Sequence, residues 1–220
     1  MRYFPVFLDL KEKLCIVVGG GSVAERKVKN LLKAGARVKV ISPDLTLPLS
    51  RLRDERKIAC LSRSYRKGDL KGALLAIAAT DDRKINERVF REAAESRIPV
   101  NVVDDPAHSS FIVPSIVQKK DLLVAISTSG RSPTLARLLR QKLEKEIGPE
   151  YLQFLQLMGK VRKKVIGLGF GQRQNQRIFR RLVREDLLPL IKEKKGRELD
   201  RRLGRVLGPG FSLRDLGFKW

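Results

Sequence analysis

The chain has 220 residues, 42% hydrophobic and 32% charged, enough for one large domain or two small ones with a buried core. Lys and Arg number 47 against 24 Asp and Glu, a net charge of +23, and residues 151–220 alone hold 18 of the basic and 6 of the acidic residues. Such a balance suits nucleic acid, an anionic membrane surface or a polyanionic small molecule. Few aromatics and the lack of a zinc-finger, RRM or KH signature argue against nucleic acid.

No apolar run reaches the roughly 18 residues of a membrane span, and the start Met1-Arg2-Tyr3-Phe4-Pro5 lacks the layout of a signal peptide. Cys15 and Cys60 both fall in expected strands, which fits a reducing compartment rather than a disulfide framework. The expectation is a cytoplasmic protein with no membrane partner.

After an apolar lead-in at residues 4–8, Leu14-Cys15-Ile16-Val17-Val18 reads as a buried strand. It opens directly onto Gly19-Gly20-Gly21-Ser22-Val23-Ala24, which fits the G-x-G-x-x-G/A dinucleotide fingerprint. In that motif Gly19 makes the tight turn, Gly21 lets the backbone approach a pyrophosphate, and Ala24 lets helix and strand pack closely. The amides of Gly21, Ser22 and Val23 then sit at a helix N-terminus, where unpaired N–H groups and the helix dipole favour an anion. A helix over Val23–Ala34, a stop at Gly35 and a second strand Arg37–Ile41 complete a βαβ unit.

Pro43 ends the second strand, a short helix is expected over Leu45–Arg53, and Ile58–Leu61 reads as a third strand. Leu74–Ala79 is a buried strand stopped by Thr80-Asp81-Asp82, which caps a helix running to Ser96 with Ile85, Val89 and Ala93 on one face. Pro99–Val103 is the next strand, ending at Asp104-Asp105-Pro106. This alternation predicts an α/β, Rossmann-like, doubly wound parallel sheet over residues 1–110.

The pattern then changes. Phe111–Gln118 and Leu122–Ser127 form a hairpin, and a helix starts at Ser132 and Pro133 with Leu135, Leu138, Leu139 and Leu143 as its apolar stripe. This β-hairpin-plus-helix module occupies 111–149. Residues 150–220 read as a helical C-terminal region, with a helix over 152–166, a break at Gly167–Gly171, helices at Ile178–Leu188 and Glu198–Leu207, and a basic tail that is poorly ordered or docks by Phe211 and Trp220.

Several residues are candidates for chemistry. Ser42-Pro43-Asp44 ends the second strand, where a dinucleotide site places a ribose ligand. Asp44 could serve, or the Ser42 hydroxyl, or Asp44 could simply cap the next helix. No Arg lies between 40 and 46, which favours NAD over NADP. Thr80 and Asp81 lie past the carboxyl end of a core strand and either line the nucleotide or cap the helix. Asn101 and Asp104 flank the end of the following strand, and Asp104 belongs either to a site or to a turn. Thr128-Ser129-Gly130 precedes a helix N-terminus, a natural seat for a substrate carboxylate. His108 is the only histidine, and without a Cys/His cluster no metal site is expected.

The texts V-G-G-G-S-V-A-E-R-K at 18–27, A-G-A-R-V at 34–38, L-A-I-A-A-T-D-D at 75–82, N-V-V-D at 101–104, S-F-I-V-P-S-I at 110–116 and S-P-T-L-A-R-L-L-R at 132–140 together resemble the precorrin-2 dehydrogenase / sirohydrochlorin ferrochelatase family, the N-terminal region of siroheme synthases. The resemblance covers the first 150 residues. It implies NAD-dependent oxidation of precorrin-2 to sirohydrochlorin, an octacarboxylate macrocycle that gives a basic surface a rationale. It further implies an intertwined homodimer through the hairpin module and a catalytic Asp at Asp104. Some members of the family also insert ferrous iron, which would make iron a co-substrate. A regulator that senses NAD or binds nucleic acid without catalysis is the alternative from another class.

Overall fold

The computed structural model describes residues 2–220, which divide into two compact units, one ending at Val113 and one spanning Pro114–Trp220. In the first unit five strands, β1 (Leu14–Val18), β2 (Arg37–Ile41), β3 (Ile58–Leu61), β4 (Leu75–Ala78) and β5 (Val100–Val102), form one parallel sheet. Its order is β3-β2-β1-β4-β5.

Residues of β1 alternate between the two faces, as a period of two requires. Cys15 and Val17 join Val38, Val40, Leu75 and Ile77 in a core covered by α1 (Ser22–Lys33) and α2 (Leu47–Asp54), through Ala24, Val28, Leu31 and Leu49. Ile16 and Val18 join Ile41, Ala76, Ala78, Val100 and Val102 on the other face, against Val89 and Ala93 of α3 (Arg83–Glu95). A sheet buried on both faces accounts for the near-continuous apolar runs. The chain leaves β1 in one lateral direction towards β2 and β3, then returns to lay β4 and β5 on the other side. The crevice at that reversal lies past the carboxyl ends of β1 and β4, where open α/β sheets hold ligands.

Two helix starts differ in detail from their sequence signals. Thr46, not Asp44, is the N-cap of α2: its hydroxyl accepts from the Leu49 amide at 3.4 Å, and Pro48 occupies the first turn. Of Thr80-Asp81-Asp82, only Asp82 caps α3, accepting from Lys84 and Ile85 at 2.8 and 3.2 Å.

The segment 62–70 is pinned beneath α3 by one buried carboxylate. Glu92 accepts from the Tyr65 hydroxyl, the Gly68 amide at 2.9 Å and the Leu70 amide at 3.1 Å. Glu92→Ala would strand the buried Tyr65 hydroxyl and Leu70 amide, at about 1–3 kcal/mol each, while the exposed Gly68 amide can turn to water. Urea denaturation is expected to show a midpoint shift equivalent to about 3 kcal/mol or more, with Glu92→Gln losing less because it keeps an acceptor oxygen.

The Arg63 guanidinium clamps Asp69 in the same segment at 2.8 and 2.7 Å. That clamp, with the Arg66 amide, holds the Asp69 carboxyl below the usual carboxylate range. A lowered carboxylate contributes stability above its unfolded value, near pH 4, and releases it as the pH falls through the folded value.

In the second unit β6 (Ser115–Lys119) and β7 (Leu122–Ile126) form an antiparallel hairpin. The first of these strands is shorter than the expected Phe111–Gln118, because Pro114 has no N–H to give a ladder. Next come α4 (Pro133–Glu146), with Ser132 as its cap, and α5 (Pro149–Gly167).

The expected helix over Ile178–Leu188 is replaced by α6 (Gln172–Arg184) and α7 (Leu187–Lys192), separated at Asp186 where the backbone turns left-handed at φ 49. After α8 (Gly196–Leu207) the tail packs into the helical core through Phe211, Leu216 and Phe218. Trp220 meets that core edge-on to the Phe218 ring. Among the described residues no helix is long and apolar enough to cross a membrane.

Candidate functional site: a glycine cradle at the sheet reversal

The turn between β1 and α1 is built by close backbone approach. Gly19 has φ 120, and a Cβ there would stand 2.2 Å from the Ala79 carbonyl oxygen at the end of β4. A Cβ on Gly20 would stand 1.9 Å from the Asp44 carbonyl and 2.8 Å from the Ser42 hydroxyl. Gly20 is the position the fingerprint leaves free, yet it has the tightest fit of the three. Its carbonyl accepts from the Thr46 amide at 3.0 Å, and Thr46 in turn donates its hydroxyl to Glu25 on α1 at 2.9 Å. The loop after β2 is thus latched to the glycine turn, and the Lys29 ammonium and Thr46 hydroxyl hold the Glu25 carboxyl below its ordinary range.

Gly21 is different. Nothing lies within 4 Å of where its Cβ would be, and as N-cap of α1 it offers no side chain to the helix amides. The amides of Ser22, Val23 and Ala24 therefore lack both an intrahelical partner and a cap. Helix N-termini in this condition attract anions. Ala24 is fully buried against the sheet, as the third position of the fingerprint requires.

These groups open onto a cleft of about 640 Å³ lined by Gly19, Gly20, Gly21, Ser22 and Val23, by Ser42, Pro43, Asp44 and Thr46, and by Ser64 and Tyr65. Thr80, Asp81, Val103 and Asp104 close its other end. Most residues singled out in the sequence are brought together here. Ser42 is buried, whereas Asp44 is exposed and free of a capping role. The Thr80 hydroxyl is engaged with Asn86 at 2.9 Å, which fixes the β4–α3 turn.

Asn101 is not in the cleft: its buried amide donates to the Phe111 carbonyl at 3.1 Å and holds the end of the first unit against β5. Thr128, Ser129 and Gly130 lie in the second unit, where the Thr128 hydroxyl accepts from the Ser132 amide at 3.1 Å ahead of α4. Ser64, Tyr65, Thr46 and Gly20 carried no sequence signal, since their roles come from long-range contacts.

Asp104 takes the left-handed backbone at φ 58 immediately past β5, a conformation that non-glycine residues adopt at a cost. It lines both the cleft and an adjoining cavity of about 600 Å³ that also contains Asp105 and His108. Asp105 accepts from the Ala107 and His108 amides at 3.1 and 3.2 Å and pairs with His108 Nδ1 at 2.7 Å. The His108 contact is the main reason the Asp105 carboxyl lies below its usual range. The imidazole rests edge-on against Phe90, with ring centroids 4.9 Å apart. Lys27, one turn beyond Val23 on α1, feels the Asp104 charge: burial and Arg26 push its ammonium pKa down, and Asp104 opposes them.

Comparison with known proteins agrees with this geometry. A family model described as "Putative NAD(P)-binding" matches residues 6–115, and one described as "Sirohaem biosynthesis protein central" matches residues 120–146. The siroheme synthase of Neisseria meningitidis serogroup C is 38% identical over 207 residues, which is 94% of this chain and 43% of that protein. The siroheme synthase of Thioalkalivibrio sulfidiphilus is 40% identical over 217 residues, 99% of this chain and 44% of that one. The chain thus spans less than half the length of these curated relatives. Among solved structures, the precorrin-2 dehydrogenase SirC superposes with a TM-score of 0.71 at 22% identity, covering 90% of this chain and 100% of SirC, which shows the shared fold. With the glycine cradle, the matched domain over half its length and the central segment following in order, the chain belongs to the siroheme synthase N-terminal family.

Proposed function

We propose that this chain is an NAD-dependent dehydrogenase that oxidises precorrin-2 to sirohydrochlorin, the activity carried in the name of the SirC structure and in the pathway of its relatives. One observation supports this reading above the others: Asp104 lines the same cleft as the uncapped glycine cradle. The oxidation removes a hydride and a proton. NAD, when bound, supplies the hydride acceptor. The residues fit that cofactor, because Gly21 leaves open space beside unpaired amides.

In this reading the amides of Ser22, Val23 and Ala24 hold the pyrophosphate, and the Ser42 hydroxyl and the Pro43–Asp44 segment face the ribose. Thr80 and Asp81 flank the nicotinamide end, Asp104 takes the proton, and Thr128-Ser129-Gly130 receives a substrate carboxylate at the start of α4. The test is purified protein with precorrin-2 and NAD⁺, followed by the absorbance of NADH and of the oxidised macrocycle. No turnover with intact protein would overturn the assignment. Repeating the assay with ferrous iron reads iron insertion as a separate spectral change.

The working assembly in this reading is a homodimer. Leu135, Leu138 and Leu139 on α4, with Ile116 and Leu123 on the hairpin, are all exposed on the second unit. Ile116 and Leu123 share the side of the hairpin opposite buried Val117, and exposed apolar groups gathered on one element, as on α4, mark an interaction surface. Light scattering at micromolar concentration is expected to give the dimer mass, and Leu138→Glu the monomer mass. A monomeric parent protein would count against this assembly.

A further inference from the structure

The basic surplus is concentrated in the second unit, where residues 114–220 hold 25 Lys and Arg against 10 Asp and Glu. One helix concentrates it further. Over Gln172–Arg184, α6 carries five arginines and no acidic residue. Arg173, Arg177, Arg180, Arg181 and Arg184 follow the i, i+4, i+7, i+8, i+11 spacing, so at 3.6 residues per turn they share an arc of about 100° along about 16 Å of helix. All five are exposed, while Ile178, Phe179 and Leu182 on the opposite side are spent on the helical core.

Ion pairs of the neighbouring α8 join Arg201 and Arg202 to Glu198, and Arg205 to Glu185. Among the described residues, none of the five α6 arginines joins such a pair. Like charges at i, i+3 and i+4 disfavour a helix, and among the described residues no ion pair offsets them here.

We propose that this face of α6 is a docking surface for the phosphodiester backbone of a nucleic acid; the scarce aromatics and missing motifs weigh against base stacking and sequence reading, not against contact with phosphates. Guanidinium groups repeating once per helical turn match a row of phosphates, and Arg binds phosphate through paired N–H donors. Exposed Gln174 and Gln176 flank the row and supply the neutral donors and acceptors usual beside phosphate and sugar. A lipid surface is the other polyanion to consider. A helix that lies in a lipid surface adds a buried apolar face to its charge, and α6 has spent Ile178, Phe179 and Leu182 on the helical core. Around α6, Ile166 near the end of α5, Leu168 and Phe170 ahead of α6 and Val183 on it remain exposed, a sparse apolar set beside five arginines. The surface is independent of the dehydrogenase reading, since NAD binding involves the first unit alone.

The test titrates fluorescein-labelled 20-base-pair DNA and RNA duplexes with the full chain by anisotropy, across a salt series. Binding is expected with a log–log salt slope of about −4. Arg177→Gln/Arg180→Gln/Arg184→Gln should flatten the slope by about 3 and weaken binding about a hundredfold at 0.1 M salt. Gln keeps helix propensity, so circular dichroism and NAD affinity should not change. An equal change of charge elsewhere on the unit, Lys192→Gln/Arg197→Gln/Arg214→Gln, should leave most of the affinity. Either duplex binding in this pattern supports the proposal, with the two arms telling DNA from RNA. Equal loss in both triples, no binding at micromolar protein, or capture only by phosphatidylglycerol vesicles would overturn it.

Discussion

Gly21→Asp is expected to abolish NAD binding while leaving the protein folded. The two neighbouring glycines could not serve for this test, because any side chain at Gly19 or Gly20 runs into the Ala79 or Asp44 carbonyl and disturbs the sheet edge itself. Gly21 has ordinary N-cap backbone angles, φ −80 and ψ −175, and open space beyond its Cα. Asp is also a favoured N-cap residue, so the helix gains a cap when the cradle is filled. That carboxylate would accept the amides the pyrophosphate needs and set a negative charge against the ligand's own. Like charges brought together in a binding site cost several kcal/mol, so the loss should exceed about a hundredfold in affinity. Calorimetry on the folded variant is the measurement. Unchanged NAD affinity, with an unchanged or raised melting temperature, would remove the cofactor from this turn.

The contrast between these glycines shows how much of the site the sequence made legible. The strand–turn–helix context of Gly19–Ala24 is local, so the letters 14–34 sufficed to read β1, the turn and α1. The constraint on Gly20 comes from Asp44, which is distant in sequence, and no fingerprint position encodes it. The coupling of Lys27 to Asp104 and the place of Tyr65 in the cleft are tertiary in the same way. Periodicity showed that α4 has an apolar stripe of Leu135, Leu138 and Leu139, but it carries no information about what covers such a stripe. In the helical region the glycine run at 167–171 hid the start of α6. The break before α7 lies at a left-handed Asp186 that has no turn signature of its own.

Asp104→Asn is expected to keep the fold and the NAD affinity and to lose dehydrogenation by about 10²–10⁴, the usual cost of removing a general base. The choice of Asn follows from the backbone. At φ 58 Asp and Asn are tolerated, whereas a residue without their short polar side chain costs about 1–2 kcal/mol more in this conformation. Asp104→Ala would therefore mix lost chemistry with lost stability, and Asp104→Asn separates them. His108 is the competing base, since an unperturbed imidazole titrates near pH 6.5 and is suited to proton transfer at neutral pH.

Its geometry argues otherwise. Nδ1 is held by Asp105 at 2.7 Å, the ring is packed against Phe90, and His108 lines only the adjoining cavity, not the cleft with the glycine cradle. Asp104 lines both, so it is the carboxylate that the cleft with the glycine cradle and the adjoining cavity share. Position ranks before pKa in choosing a base. His108→Ala should thus stay within a few-fold of the parent in kcat, while Asp105→Ala should act through the turn that Asp105 caps at Ala107 and His108. Turnover by Asp104→Asn within a few-fold of the parent, together with an inactive His108→Ala, would move the base from Asp104 to the imidazole.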